Sequence, residues 1–168
     1  MAAILSARLH ALAAAHALVR PDFDTGAGEP LQPMAGLAGL VRAILKPNEV
    51  AGAERFIVEE PEISLGSRAT TGLALVIHEL ATNAAKYGAL VHEEGCVSVR
   101  WRQEGGVLAV QWRESGGPAV AGEPVQRGFG SVLARDTILR QLGGTLTLDW
   151  QEQGVAADFV LPLAKLAD

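Results

Sequence analysis

Four side chains in the segment HELATNAAKYG (78–88) have the types and spacing of a metal- and phosphate-binding surface. Glu79, Asn83, Lys86 and Tyr87 follow one another at four, three and one residues, which at about 100° per residue brings them to one edge of a helix. Carboxylate and amide oxygens suit Mg²⁺, an ammonium group neutralises phosphate charge, and a tyrosine ring can contact a sugar or base. A solvated stripe of paired side chains has the same spacing, so this segment alone leaves both interpretations open.

Two glycine-containing segments add groups that suit a nucleotide. In WRESGGP (112–118), Glu114 precedes Gly116 and Gly117, so its carboxylate can accept a hydrogen bond from an exocyclic amino group such as that of adenine. The glycines would let a base approach the backbone closely. In GFGS (128–131), the backbone N–H groups that open a predicted helix face any nearby phosphate. The order of the three segments, rather than any one of them, favours a nucleotide site.

The rest of the pattern predicts the elements that must position these groups. A long helix should run from Ser67 to Tyr87 and stop at Gly88, with Leu73, Ile77, Leu80 and Ala84 on its core face. Helices and hairpin-connected strands in this order predict an α+β fold, a two-layer sandwich with helices on one face of a mixed sheet. The other predicted elements are helices at Leu37–Leu45 and Ser131–Leu142 and strands at Arg55–Glu59, Val97–Arg102, Leu108–Arg113, Thr145–Trp150 and Ala157–Leu161.

The first twenty residues predict a separate helix. Leu5, Leu9, Leu12, His16 and Val19 follow the heptad spacing of a helix that packs against another helix. The segment also has two arginines and no acidic residue, so an organellar presequence or a weak secretory signal is the alternative. We therefore expect residues 1–20 to be the end of a longer helix and residues 21–168 to form one domain.

Composition excludes several classes of function. The chain has 168 residues, of which 49% are hydrophobic, with a net charge of −5. This balance disfavours a nucleic-acid-binding protein, since phosphate affinity depends on clustered Lys and Arg. No uncharged stretch approaches the ~20 residues of a membrane-spanning helix, so we expect no membrane insertion. Cys96 is the only cysteine, which fits a reducing cytoplasm.

The order of HELATNAAKYGAL, WRESGGP, GFGS, RQLGG and a final VLPL resembles the HWE family of bacterial sensor histidine kinases. That family belongs to the Bergerat-fold ATPases, also called the GHKL type. The family's signature letters match His78, Trp112 and Glu114, and the resemblance extends from about Ala27 to Leu163. It implies a Bergerat-type sandwich that binds ATP and Mg²⁺ in a two-component signal transduction system.

The resemblance also implies roles for individual residues. Asn83 would hold Mg²⁺, Glu79 would assist the metal or position water, Lys86 would contact phosphate, and Glu114 would bind the adenine amino group. Tyr87 and Gly117 would also contact the nucleotide. A loop at 118–127 would cover it. Gly116, Gly128 and Gly130 would form the hinges and floor of this loop, and Arg127, Phe129 and Ser131 would contact the nucleotide.

The other aromatic and histidine residues are expected to have structural roles or to be exposed. His78 lies about 100° from Glu79 on the helix, so a structural hydrogen bond or a contact to the substrate helix is expected for it. Trp101, Trp112, Trp150 and Phe159 are expected in the core, and His92 is expected to be exposed. Val155 to Ala157 stand where related ATPases often carry a Ser or Thr that reaches adenine through water. Base recognition should therefore depend more on Glu114.

A histidine kinase also needs an acceptor histidine on a dimerisation helix. His10 and His16 lack the Arg and Lys-Asn neighbours that the family shows, so the acceptor is expected outside this chain. The resemblance implies a histidine-containing dimerisation domain, a response regulator and a homodimer as partners. The expected reaction is transfer of the ATP γ-phosphoryl group to a histidine. Alternatives are an ATP-hydrolysing enzyme with Glu79 as the base, and a nucleotide-binding docking module without kinase activity.

Overall fold

The computed structural model describes residues 36–49, 55–59, 62–119, 122 and 128–167. The expected N-terminal helix, His10, His16, Arg127 and most of the 118–127 loop lie outside these residues. The helices are α1 (Leu37–Leu45), α2 (Ser67–Tyr87) and α3 (Phe129–Asp136), and the strands are β1 (Phe56–Glu59), β2 (Cys96–Glu104), β3 (Val107–Ser115), β4 (Thr145–Gln151) and β5 (Gly154–Pro162).

The five strands form one mixed sheet in the order β1-β2-β3-β5-β4, in which β1 and β2 are parallel and the other pairs antiparallel. Alternate residues of each strand point to the helical layer. Trp101, Trp112 and Phe159 are at most 2% exposed and join Leu73 and Ile77 of α2 in one hydrophobic core. The predicted α+β sandwich and the core positions of these three aromatic residues are confirmed.

Helix α2 has the predicted bounds, residue for residue. Its last turn ends where the Gly88 N–H bonds the carbonyls of Asn83 and Ala84. Each of β2, β3, β4 and β5 extends beyond its predicted bounds, whereas β1 begins at Phe56 and leaves Arg55 just outside the strand.

The helix predicted at Ser131–Leu142 begins two residues earlier and changes type partway. Residues Thr137–Gln141 form a π-helical turn, closed by a 3.0 Å bond from the Leu142 N–H to the Thr137 carbonyl. Ile138 and Leu142 are both at most 1% exposed. The wider turn therefore lets both side chains enter the core, a tertiary demand that a 3.6-residue period does not reveal.

Candidate functional site

A cavity of about 460 Å³ lies between α2, α3 and the helix-facing side of β3, β4 and β5. Its size is within the range of small-molecule sites. Six predicted site residues line it together: Glu79, Asn83, Tyr87, Glu114, Gly128 and Ser131. Residues predicted from three separate segments therefore meet at one cavity.

Glu114 forms the most buried polar part of this cavity. The side chain is 7% exposed, its Oε1 accepts a 3.1 Å hydrogen bond from the Trp112 indole N–H, and its Oε2 accepts a 3.0 Å bond from the Ala89 N–H. Burial raises the pKa of the Glu114 carboxyl, and the bonds from Ala89 and Trp112 offset part of that rise. Since a carboxylate has about four acceptor positions, Glu114 retains capacity for a ligand donor.

The segment after α2 is shaped to receive this carboxylate. A Cβ at Gly88 would overlap the Glu114 carboxylate oxygen, and a Cβ at Gly117 would lie 2.6 Å from the Cα of Ala89. Gly116 has φ +76°, a conformation that glycine adopts without strain. The glycines of GG 116–117 thus allow the strand end to pack closely on the turn that follows α2, rather than lining the cavity.

Arg55 also binds the segment that follows α2. This side chain is 7% exposed, and its guanidinium donates to the carbonyls of Leu90, His92 and Gly95. His92 is exposed, as predicted, and its Nδ1 lies 3.2 Å from the Gly116 carbonyl. The backbone that donates to Glu114 is therefore held by residues distant in sequence.

The polar edge of α2 is more open. Glu79 and Asn83 are half-buried at the cavity wall, whereas Tyr87 is 74% exposed. Lys86 is exposed and His78 half-buried, and neither is among the described residues that line the cavity. The edge thus presents one carboxylate and one amide to the cavity, with an ammonium group beside it.

The opposite wall begins where α3 begins. Gly128 precedes the helix, and Ser131 lines the cavity from its first turn. A Cβ at Gly130 would overlap the Glu79 carboxylate, so the start of α3 lies against the polar edge of α2. The backbone of Phe129 begins helix α3.

The last hairpin supplies cavity residues that the sequence analysis missed. Leu146, Leu148, Trp150 and Val155 form an apolar wall. The expectation that Trp150 belongs to the core is wrong: it is half-buried and lines the cavity. The alternation in TLTLDW places Leu146, Leu148 and Trp150 on one face of β4. Because β4 is an edge strand of the sheet, this face borders the cavity.

The residues of the cavity fit a purine nucleotide with Mg²⁺. An apolar wall with one buried carboxylate suits a base, and the buried Trp150 Nε1 has no hydrogen-bond partner among the described residues, so one donor is left for a ligand. The described residues contain no group of three or more His, Cys, Asp or Glu side chains that could hold a metal. Asn83 and Glu79 supply amide and carboxylate oxygens at the cavity wall, which suit an ion such as Mg²⁺ that keeps waters and takes phosphate oxygens as ligands.

Known histidine kinases resemble this chain over three quarters or more of its length. Blue-light-activated histidine kinase 1 of Erythrobacter litoralis is 40% identical over 162 residues, which cover 95% of this chain and 43% of that protein. The histidine kinase domain of the Erythrobacter litoralis EL346 protein superposes with a TM-score of 0.71 and 22% identity, covering 97% of this chain and 81% of that one. The catalytic domain of the histidine kinase ThkA superposes with a TM-score of 0.55 and 20% identity, covering 76% and 93%.

The chain thus spans less than half the length of the curated relatives that it matches, 43% of one and 32% of another. No protein-family model matches it. Among the described residues, no helix is both long and apolar enough to span a membrane.

Proposed function

The chain belongs to the histidine kinase family, in which it corresponds to the catalytic domain, and on that premise we propose that it binds ATP with Mg²⁺ and transfers the γ-phosphoryl group to a histidine. We assign it to the HWE type. The observation that carries this proposal is the meeting of Asn83 and Glu114 at one cavity, although they come from different elements 31 positions apart in sequence.

Glu114 is the proposed adenine-binding residue. Its carboxylate is held by the Trp112 and Ala89 N–H groups, so it enters the bound state already oriented and loses little conformational freedom. An ionised carboxylate accepts hydrogen bonds only. It therefore favours the amino group of adenine over the carbonyl oxygen that guanine carries at the same position.

Asn83 and Glu79 are the proposed Mg²⁺ ligands, and Lys86 is the proposed phosphate contact. The ion, when bound, neutralises charge on the transferred phosphoryl group and its leaving oxygens. Gly130 lies against the Glu79 carboxylate, so the first turn of α3, which follows Gly128 and includes Ser131, lies near Glu79, where backbone N–H groups favour phosphate. Tyr87 and Phe129 remain proposed contacts to the nucleotide, as does Arg127, outside the described residues.

In the proposed reaction, a neutral nitrogen of the acceptor imidazole attacks the γ-phosphorus atom. A nitrogen–phosphorus bond forms as the bond to the bridging oxygen breaks, ADP leaves with the electron pair, and the ring proton is lost to solvent. This chain orients the triphosphate and excludes water from it. The acceptor lies on a histidine-containing dimerisation domain, and we propose a cytoplasmic homodimer that passes the phosphoryl group to a response regulator.

The test is transfer of radioactive phosphate from γ-labelled ATP. The 168-residue chain is incubated with a separately produced histidine-containing dimerisation hairpin, and hairpin label that is stable to base and labile to acid is the expected result. Thr82→Ala, next to Asn83 on α2 but not among the cavity-lining residues, should label normally, whereas Asn83→Ala should not.

Three other outcomes would contradict the proposal in different ways. Phosphate release without hairpin label would indicate an ATP-hydrolysing enzyme, and ATP binding with neither release nor label would indicate a docking module. Label on His10 or His16 of the chain itself, lost in the corresponding His→Ala variant, would overturn the placement of the acceptor outside this chain.

A further inference from the structure

Trp150 carries a buried polar atom that the fold does not satisfy. Its indole nitrogen is shielded from solvent and has no hydrogen-bond partner in the part of the chain that the structure describes. A buried unpaired donor destabilises a protein, and such groups are rare in native structures. An indole N–H can only donate, so the missing partner must be an acceptor.

The register of the sheet places Trp150 near Glu114. Trp150 pairs with Val155 on β5, and β5 pairs with β3 as far as Ala156 and Arg113. Gly154 lies directly against Glu114, since a Cβ there would be 2.5 Å from the Glu114 carbonyl oxygen, so Trp150 and Glu114 both neighbour the start of β5. Trp150, Val155 and Glu114 line the same cavity.

We propose that the Trp150 N–H donates a hydrogen bond to N1 of the bound purine, the ring nitrogen next to the amino group, and that Trp150 and Glu114 together select adenine. This inference rests on the proposed function, since it assigns a second base-binding residue within the same nucleotide site. Trp150 is a specificity-determining residue here, not a catalytic one.

The chemistry of the two purines supports this assignment. Adenine has an amino group that donates and unprotonated ring nitrogens that accept, which match a carboxylate and an indole N–H respectively. Guanine carries a carbonyl oxygen in place of the amino group and a proton on the adjacent ring nitrogen. The neighbouring side chains Leu146, Leu148 and Val155 are hydrocarbons, so Trp150 is the side chain of this wall that can donate.

The test is a double-mutant cycle between the protein and the ligand. Trp150→Phe removes the N–H and keeps an aromatic ring. Calorimetry measures the affinity of the wild type and of this variant for ATP and for its 1-deaza, 3-deaza and 7-deaza analogues, each of which lacks one acceptor nitrogen. Wild-type affinity should fall about tenfold for the 1-deaza analogue, and Trp150→Phe should bind that analogue and ATP equally well.

Leu148→Val is the matched control, because it reduces the same apolar wall and has no donor to lose. It should retain the wild-type preference for ATP over the affected analogue, even where its overall affinity falls. Thermal unfolding of each variant identifies any loss of folded protein.

Three results would overturn the inference. Unchanged ATP affinity in Trp150→Phe would mean that the indole contributes only apolar surface and that its N–H does not bond the base. Losses that are equal in the wild type and in Trp150→Phe, or that are confined to the 3-deaza or 7-deaza analogue, would place the N–H away from N1. A folded wild type that fails to bind ATP would overturn both this inference and the proposed function, whereas the first two results leave ATP binding intact.

Discussion

The cavity contains two carboxylates whose surroundings differ sharply. Glu114 is 7% exposed and accepts hydrogen bonds from Trp112 and Ala89. Glu79 is half-buried at the opposite end, against Gly130. No hydrogen bond holds the Glu79 carboxylate within the part of the chain that the structure describes. One carboxylate is thus oriented by two hydrogen bonds, and among the described residues none orients the other.

This difference matches the two tasks that a nucleotide site must perform. A group that selects a base must keep its position, because discrimination depends on a fixed pattern of donors and acceptors. A group that helps to hold Mg²⁺ must exchange waters and follow phosphate oxygens, since the ion keeps several waters. We therefore expect substitutions at the Glu114 end to alter selectivity and stability, and substitutions at the Glu79 end to alter metal-dependent binding.

Glu114→Ala should have the largest effect. It removes the proposed acceptor for adenine and leaves the Trp112 and Ala89 N–H groups unpaired, so we expect about a 100-fold loss of ATP affinity and no remaining preference for ATP over GTP. The free energy of unfolding should fall by about 2 kcal/mol. Calorimetric titration with both nucleotides and chemical denaturation measure these changes. Glu93→Ala, at an exposed loop residue, should change neither, and a retained ATP preference in Glu114→Ala would reassign adenine recognition.

Asn83→Ala should have the next largest effect, confined to binding in the presence of metal. We expect about a 30-fold loss of the affinity that Mg²⁺ adds, corresponding to about 2 kcal/mol, and a change in unfolding free energy below about 0.5 kcal/mol because the residue is half-buried. Titrations with Mg²⁺ and with EDTA separate the metal-dependent part. Wild-type metal dependence in this variant would contradict the assignment of Asn83.

Gly88→Ala and Gly130→Ala compare the two carboxylates directly, since each added Cβ overlaps one of them. At Gly88 the Glu114 carboxylate is held by two donors, so we expect a loss of about 2 kcal/mol in unfolding free energy. At Gly130 the Glu79 side chain can move, and the higher helix propensity of alanine adds up to about 1 kcal/mol. Chemical denaturation of both variants tests the difference. Equal destabilisation would mean that Glu79 is as rigid as Glu114.

The pH dependence of stability should show the smallest effect. Because burial raises the pKa of Glu114 above its ordinary value of 4.5, the unfolded chain loses this proton first as pH rises. The folded state then holds more protons, so wild-type stability relative to Glu114→Gln should fall between pH 4.5 and the raised pKa, by at most about 1.4 kcal/mol per pH unit. Denaturation of both proteins across that range measures the difference, and parallel profiles would contradict a raised pKa.

Short-range periodicity in the sequence was sufficient to predict several elements of this protein and the positions of several site residues. The bounds of α2, the shared edge of Glu79 and Asn83, and the position of Glu114 two residues after Trp112 on one strand face were all predicted from the sequence. Each depends on the repeat of a helix or strand and on a stop signal such as Gly88, which act within a few residues.

Only the tertiary structure decided how these parts meet. The Ala89 N–H reaches Glu114 across 25 positions, and Arg55 reaches the carbonyls after α2 across 35 to 40. Trp150 lies at a cavity because β4 pairs at the edge of the sheet. Strand order and long-range hydrogen bonds depend on the packing of the whole chain, so no local repeat in the sequence carries them.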